Sequence, residues 1–122
     1  MIKVSVELED LKVYKAYTDL LYYSYMILKK FPKNELLGIE QDIKRALNEG
    51  VDYMIMAQKV FDNKERLDYL NKMDCKLKVL KLYIRVSYKN KYITGHNYGA
   101  WSRKIANVGN LLGGWIKSCL KH

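Results

Sequence analysis

The sequence predicts an all-α fold, an antiparallel up-down-up-down four-helix bundle. Three observations predict it. The 122 residues include 1 Pro and 7 Gly, too little punctuation for a loop-rich all-β domain. Three breaks divide the chain into four segments of about 25 residues, each nearly 40 Å long as a helix. Within the segments apolar residues recur at steps of three and four. Short connections between long helices make sequence neighbours antiparallel. The expected unit is one domain over residues 1–122, long enough to bury a core without staples.

The predicted helices span about 9–31, 35–61, 64–89 and 95–120. Val13, Tyr17, Leu20, Leu21, Ser24, Leu28 and Phe31 share a face of the first. Phe31-Pro32-Lys33-Asn34 breaks the chain next, because Pro disfavours helix at the residue before it. Asn34 is then the expected N-cap of the second helix. That helix repeats Leu36, Ile43, Leu47, Val51, Met54 and Phe61. Asp62-Asn63-Lys64 is the second break. Lys89 to Gly95 is the third, with Thr94 as the expected N-cap of the last helix. Tyr98, Trp101, Ile105, Val108, Leu112 and Trp115 make that helix's apolar stripe. Residues 1–8 alternate like a strand (Ile2, Val4, Val6), although eight residues cannot form a sheet alone.

The third helix carries three stripes. At 100° per residue, Leu70, Met73, Leu77, Leu80 and Ile84 cluster on a core face. Cys75, Val79, Leu82 and Val86 cluster nearly opposite, and Lys78, Lys81, Arg85 and Lys89 lie between. A helix of a monomeric bundle needs one apolar stripe. The second predicts contact with another subunit, unless a broad core reaches round the helix. The fourth helix has a small-residue face, Gly95, Gly99, Ser102, Ala106, Gly109 and Gly113. Such a face admits a close helix neighbour, within the bundle or between subunits.

Charge is distributed unevenly. Residues 1–60 carry 9 basic and 9 acidic side chains, and residues 61–122 carry 13 and 4. The whole net charge of +9 therefore sits in the second half. Ten Lys and Arg follow Asp74, with no further acid. The pattern predicts an anion-binding face, for which nucleic acid is the commonest large partner. The plainer alternative is a solvated basic surface.

Catalytic signatures are missing. His96 and His122 have no helically spaced carboxylate or Cys beside them, and no Glu-x-x-His pair is present. Neither GxxxxGK[ST] nor GxGxxG occurs. Ser24, Ser87, Ser102 and Ser118 have no placed base. Cys75 and Cys119 are too far apart for a CxxC site, so no disulfide framework or zinc finger is expected. The expectation is a protein that is not an enzyme, with no metal and no cofactor. Tyr22 and Met26 fall on the otherwise polar face of the first helix, as interface packing or as stacking groups for unpaired bases. The first ten residues lack the layout of a signal peptide. The most apolar stretch, Leu20 to Leu28, is about nine residues against the ~20 that span a bilayer. A soluble cytoplasmic protein without membrane contact is the expectation.

Two stretches resemble a known family. KFPKNELLGIEQDI (30–43) is similar to the helix 1–helix 2 junction of the accessory variability determinant of diversity-generating retroelements. YITGHNYGAWSRKIANVGNLLGGWIKS (92–118) is similar to its last helix, above all in the LGGW ending from Leu112 to Trp115. The resemblance runs from about Val13 to Ser118. It implies a ring-like homopentamer of four-helix bundles. It also implies a non-enzymatic partner of the retroelement reverse transcriptase and its template RNA, and possibly DNA, in mutagenic cDNA synthesis. A related family, encoded in intervening sequences of ribosomal RNA genes, shares the fold and implies instead a general RNA-binding or structural role.

Under the first reading Lys78, Lys81, Arg85 and Lys89 line the nucleic-acid surface, joined by Lys91, Arg103 and Lys104. Cys75, Val79, Leu82 and Val86 form the oligomer interface. The competing classes are a small bundle enzyme with a buried polar site and a structural oligomer whose charge serves solubility.

Overall fold

The computed structural model describes residues 4–33 and 38–121, with side chains from residue 9 onward. The described residues form four helices and no strand: α1 (Val4–Leu28), α2 (Ile39–Lys59), α3 (Asn63–Lys89) and α4 (Gly95–Leu120). The strand-like alternation at the amino end is overridden. Val4 to Leu28 is one helix, since Glu, Leu and Lys in ELEDLK favour helix and the described residues offer no partner strand. The expected Asn34 cap and the Leu36 position lie outside the described residues.

Contacts between α2 and α3 and between α1 and α4 run in opposite orders along the two helices, which makes each of these pairs antiparallel, while α1 and α2 are joined by two tyrosine hydrogen bonds. Tyr17 Oη donates to the Leu47 carbonyl at 2.8 Å and Tyr25 Oη to Asn48 Oδ1 at 3.3 Å. Lys76 Nζ meets Glu49 at 2.7 Å, and the Tyr53 and Tyr69 rings stack at 6.5 Å. Lys104 Nζ meets Asp19 at 2.8 Å, while Trp101 Nε1 donates to Ser24 Oγ at 2.8 Å. α3 packs on α2 and α4, α1 packs on α4 and only lightly on α2, and α1 and α3 are diagonal.

Most of the core comes from the stripes expected from spacing, with Leu21, Val51 and Tyr98 half-buried at its edge and Ile27, Ala46 and Ala57 added to it. Val13, Tyr17, Leu20, Ile43, Leu47, Met54, Leu70, Met73, Leu80, Ile84, Trp101, Ile105, Val108, Leu112 and Trp115 are all buried. Tyr17 fills a special gap, because a Cβ at Gly50 would overlap its hydroxyl. Burial, with Tyr25 adding to it, raises the Tyr17 pKa and keeps the hydroxyl protonated as a donor. Phe61 departs from expectation and is 99% exposed. α2 ends at Lys59 and Val60 is extended, so helical spacing no longer carries Phe61 to the core.

The connections are short and well tied. Asp62 caps α3 by accepting from the Glu65 N–H at 3.0 Å, and Thr94 caps α4 by accepting from the Asn97 N–H at 3.1 Å. Phe31 sits beside Tyr92 and Trp101, with ring centres 5.6 and 6.4 Å away. That contact fixes the α3–α4 turn against the end of α1.

Candidate nucleic-acid interface

Helical register puts Lys78, Lys81, Arg85 and Lys89 on one flank of α3, and the neighbouring helix shows which flank it is. Lys78 and Lys81 border a cleft of about 290 Å³ that α4 completes with Ile105, Ala106, Gly109 and Asn110. The opposite flank of α3 faces α2, through Lys76 and Tyr69. The basic row therefore follows the α3–α4 seam towards the turn that holds Lys91. All five of these cations are exposed.

Their pairing differs. Lys78 Nζ lies 3.0 Å from Asp74, one helical turn away, but the Lys78 side chain is 71% exposed. A pair that open is worth about 0–1 kcal/mol and gives way readily to a phosphate. Among the described residues Lys81, Arg85, Lys89 and Lys91 form no ion pair. Four unpaired cations over about three helical turns make a positive field that water and salt alone screen.

Arg103 and Lys104 are placed differently. Lys104 points across the other side of α4, pairing with Asp19 of α1 and standing 5.4 Å from the centre of the Tyr23 ring. Arg103 is exposed and lines a shallow groove with Asp19, Ala100, Lys104 and Asn107. The structure thus brings Lys78, Lys81, Arg85, Lys89 and Lys91 into one row and leaves Lys104 in the α1–α4 seam. A single helix's register could not show which neighbour Lys104 would meet.

The second apolar stripe of α3 faces outward. Cys75 is exposed, Leu82 is 59% and Val86 37% exposed, and only Val79 packs partly against the core. A core reaching round the helix accounts for Val79 alone. A second uncovered apolar surface lies on the diagonal helix: Tyr14, Tyr22, Tyr25 and Met26 of α1 are exposed and border a shallow groove of about 570 Å³. The small-residue face of α4 is open at Gly109 and Gly113, where a Cβ would meet no atom within 4 Å. These two glycines serve no close approach within the described chain.

Sequence reasoning missed one feature of this surface. Tyr88 and Tyr98 stack face to face across the α3–α4 turn, with ring centres 4.6 Å apart and planes 2° from parallel. The signal was present in the spacing, since Tyr88 follows Arg85 by three residues and Lys81 by seven.

Among the described residues no group of three or more His, Cys, Asp or Glu could hold a metal ion, and no helix is long and apolar enough to cross a membrane. Cys119 is buried, and burial raises its pKa against the opposing influence of Arg66. It is therefore a poor nucleophile.

A family model described as bAvd-like matches residues 11–119. No curated protein matches the chain.

Proposed function

The chain belongs to the bAvd-like family, the accessory variability determinant family that its sequence resembles, and from that membership we propose a non-enzymatic accessory protein of a diversity-generating retroelement. It binds the reverse transcriptase and its template RNA, in the cytoplasm, and supports mutagenic cDNA synthesis. The single domain of residues 1–122 assembles as a ring-like homopentamer. The observation that carries the nucleic-acid part is the unpaired row Lys81, Arg85, Lys89 and Lys91, extended by the weakly paired Lys78. Arg103 and Lys104 add positive charge from α4, Lys104 after release from Asp19.

Reversing Lys78, Lys81, Arg85 and Lys89 to Glu tests the row. RNA affinity should collapse while helix content stays intact. For the wild type, affinity should fall linearly with salt on logarithmic axes, by about 0.7 per neutralised phosphate for a single strand. Binding that is flat with salt, or unchanged in the reversed protein, leaves the row a solvated surface. Recovery of the reverse transcriptase with the protein separates the retroelement role from a general RNA-binding role.

The assembly has its own support. Cys75, Val79, Leu82 and Val86 form a ridge about 16 Å long, and the apolar face of α1 lies on the diagonal helix. Two unlike sticky faces on opposite sides suit a head-to-tail contact, and a closed ring leaves neither free. Val79→Glu with Leu82→Glu should yield a helical monomer by light scattering and circular dichroism, because each interface would bury unpaired like charges. An intact oligomer moves the interface elsewhere, and loss of helix places the stripe in the core.

A further inference from the structure

We propose that Tyr88, backed by Tyr98, is a stacking platform for an unpaired nucleobase, so that the basic row receives single-stranded nucleic acid. This rests on the nucleic-acid reading above and names the form of the ligand. Two parallel rings at 4.6 Å cover one face of each other, and Tyr88 remains 42% exposed. A third flat ring extends such a stack without rearranging it. Every base has a π face, so the site tolerates any sequence. In a duplex those faces are already covered by neighbouring bases.

Register links the platform to the phosphate track. Tyr88 lies one turn beyond Arg85 and two beyond Lys81 on the same flank. A backbone following Lys81, Arg85 and Lys89 therefore arrives at the ring. Lys91 sits just past it with φ of 64°, a left-handed conformation that Gly adopts more easily than a residue with a Cβ. A cation stands where the backbone alone favours Gly, as it would if the charge were needed there.

The platform is held before any ligand arrives. The Lys91 N–H donates to the Tyr88 carbonyl and the Tyr92 N–H to the Ser87 carbonyl, both at 2.9 Å. Ile93 is buried and Tyr92 contacts Phe31. A Cβ on Gly95 would stand 3.6 Å from Tyr88 Oη, so the ring rim runs close beside the start of α4. A fixed ring loses little conformational freedom when a base stacks on it.

Binding of oligo-rA, oligo-dA, a duplex of equal length and heparin to the full chain tests the proposal. Tyr88→Leu should weaken both single strands about tenfold, leaving duplex binding, heparin binding and the salt slope unchanged. Tyr88→Phe keeps the ring and should bind like the wild type, with circular dichroism confirming that both variants fold. Loss with both oligo-rA and oligo-dA assigns recognition to the base, and loss with one alone adds a sugar preference on the same platform. An equal loss with heparin would mean a disturbed turn and overturns the proposal, as does a Leu variant that binds normally. If the wild type binds neither strand nor heparin in a salt-dependent way, the nucleic-acid reading itself falls and the platform with it.

Discussion

The turns at the two ends of α3 both carry cations and use them in opposite ways. At the α2–α3 turn Arg66 is directed inward. Its Nε donates to the Ala57 carbonyl at 2.8 Å, its Nη2 to the Val60 carbonyl and its Nη1 to Asn63 Oδ1. One guanidinium thus satisfies carbonyls that the end of α2 leaves without helical partners. At the α3–α4 turn the equivalent work is done by backbone N–H groups, the Thr94 hydroxyl and the packing of Phe31 against Tyr92. Among the described residues the side chains of Lys89 and Lys91 make no ion pair in closing that turn and remain exposed, although the Lys91 N–H donates to the Tyr88 carbonyl. A basic residue therefore signals ligand binding only where the fold does not already use it. The two turns differ on that point although basic residues flank both.

Removing Arg66 should break the comparison most strongly. Hydrogen bonds from a charged donor contribute about 1.5–3 kcal/mol each, and buried carbonyls left bare add a further penalty. Arg66 is partly exposed and water would replace some of the lost bonds, so Arg66→Ala is expected to cost about 3 kcal/mol. Urea unfolding would show it as a lower midpoint with an unchanged slope. RNA affinity of the folded protein should not change. A variant within about 0.5 kcal/mol of the wild type would mean that solvent closes the turn as well as the guanidinium does.

Arg66 also shows where sequence reading stops. Its partners are mostly main-chain carbonyls, and no pattern of side chains encodes them. The features that repeat along a helix were legible: the core stripes of α3 and α4, the outward apolar stripe of α3 and the Thr94 cap all follow from spacing or residue type. Features that depend on which helix lies next door were not. Lys104 reads as one more cation of a basic half, yet α1 supplies it with Asp19. Tyr22 and Met26 read as isolated departures from a polar face, whereas Tyr14 and Tyr25 join them once α2 is seen to cover α1 only lightly. Phe61 kept its helical spacing on paper but not in space, because the helix stops two residues earlier. The Tyr88–Tyr98 stack needed both the end of one helix and the start of the next.

The smallest expected effect sharpens the comparison most, because it separates fold from function at one residue. Lys91 holds a left-handed conformation, which costs a residue with a Cβ roughly 1–2 kcal/mol relative to the right-handed region. Gly removes that strain but makes the unfolded chain more flexible, which returns part of the gain. Lys91→Gly should therefore stabilise the protein by about 0.5–1 kcal/mol. If Lys91 contacts phosphate, the same change should weaken single-strand RNA binding and reduce the salt slope by about 0.7. The two readouts move in opposite directions, which loss of structure would not produce. Lys91→Asn is the companion variant, since Asn enters the left-handed region more readily than Lys and also removes the charge. Weaker binding in both variants, with no loss of thermal stability in the Gly protein, assigns Lys91 to the ligand. Unchanged binding in both would make Lys91 a residue that the turn merely tolerates, and the row of cations would then end at Lys89.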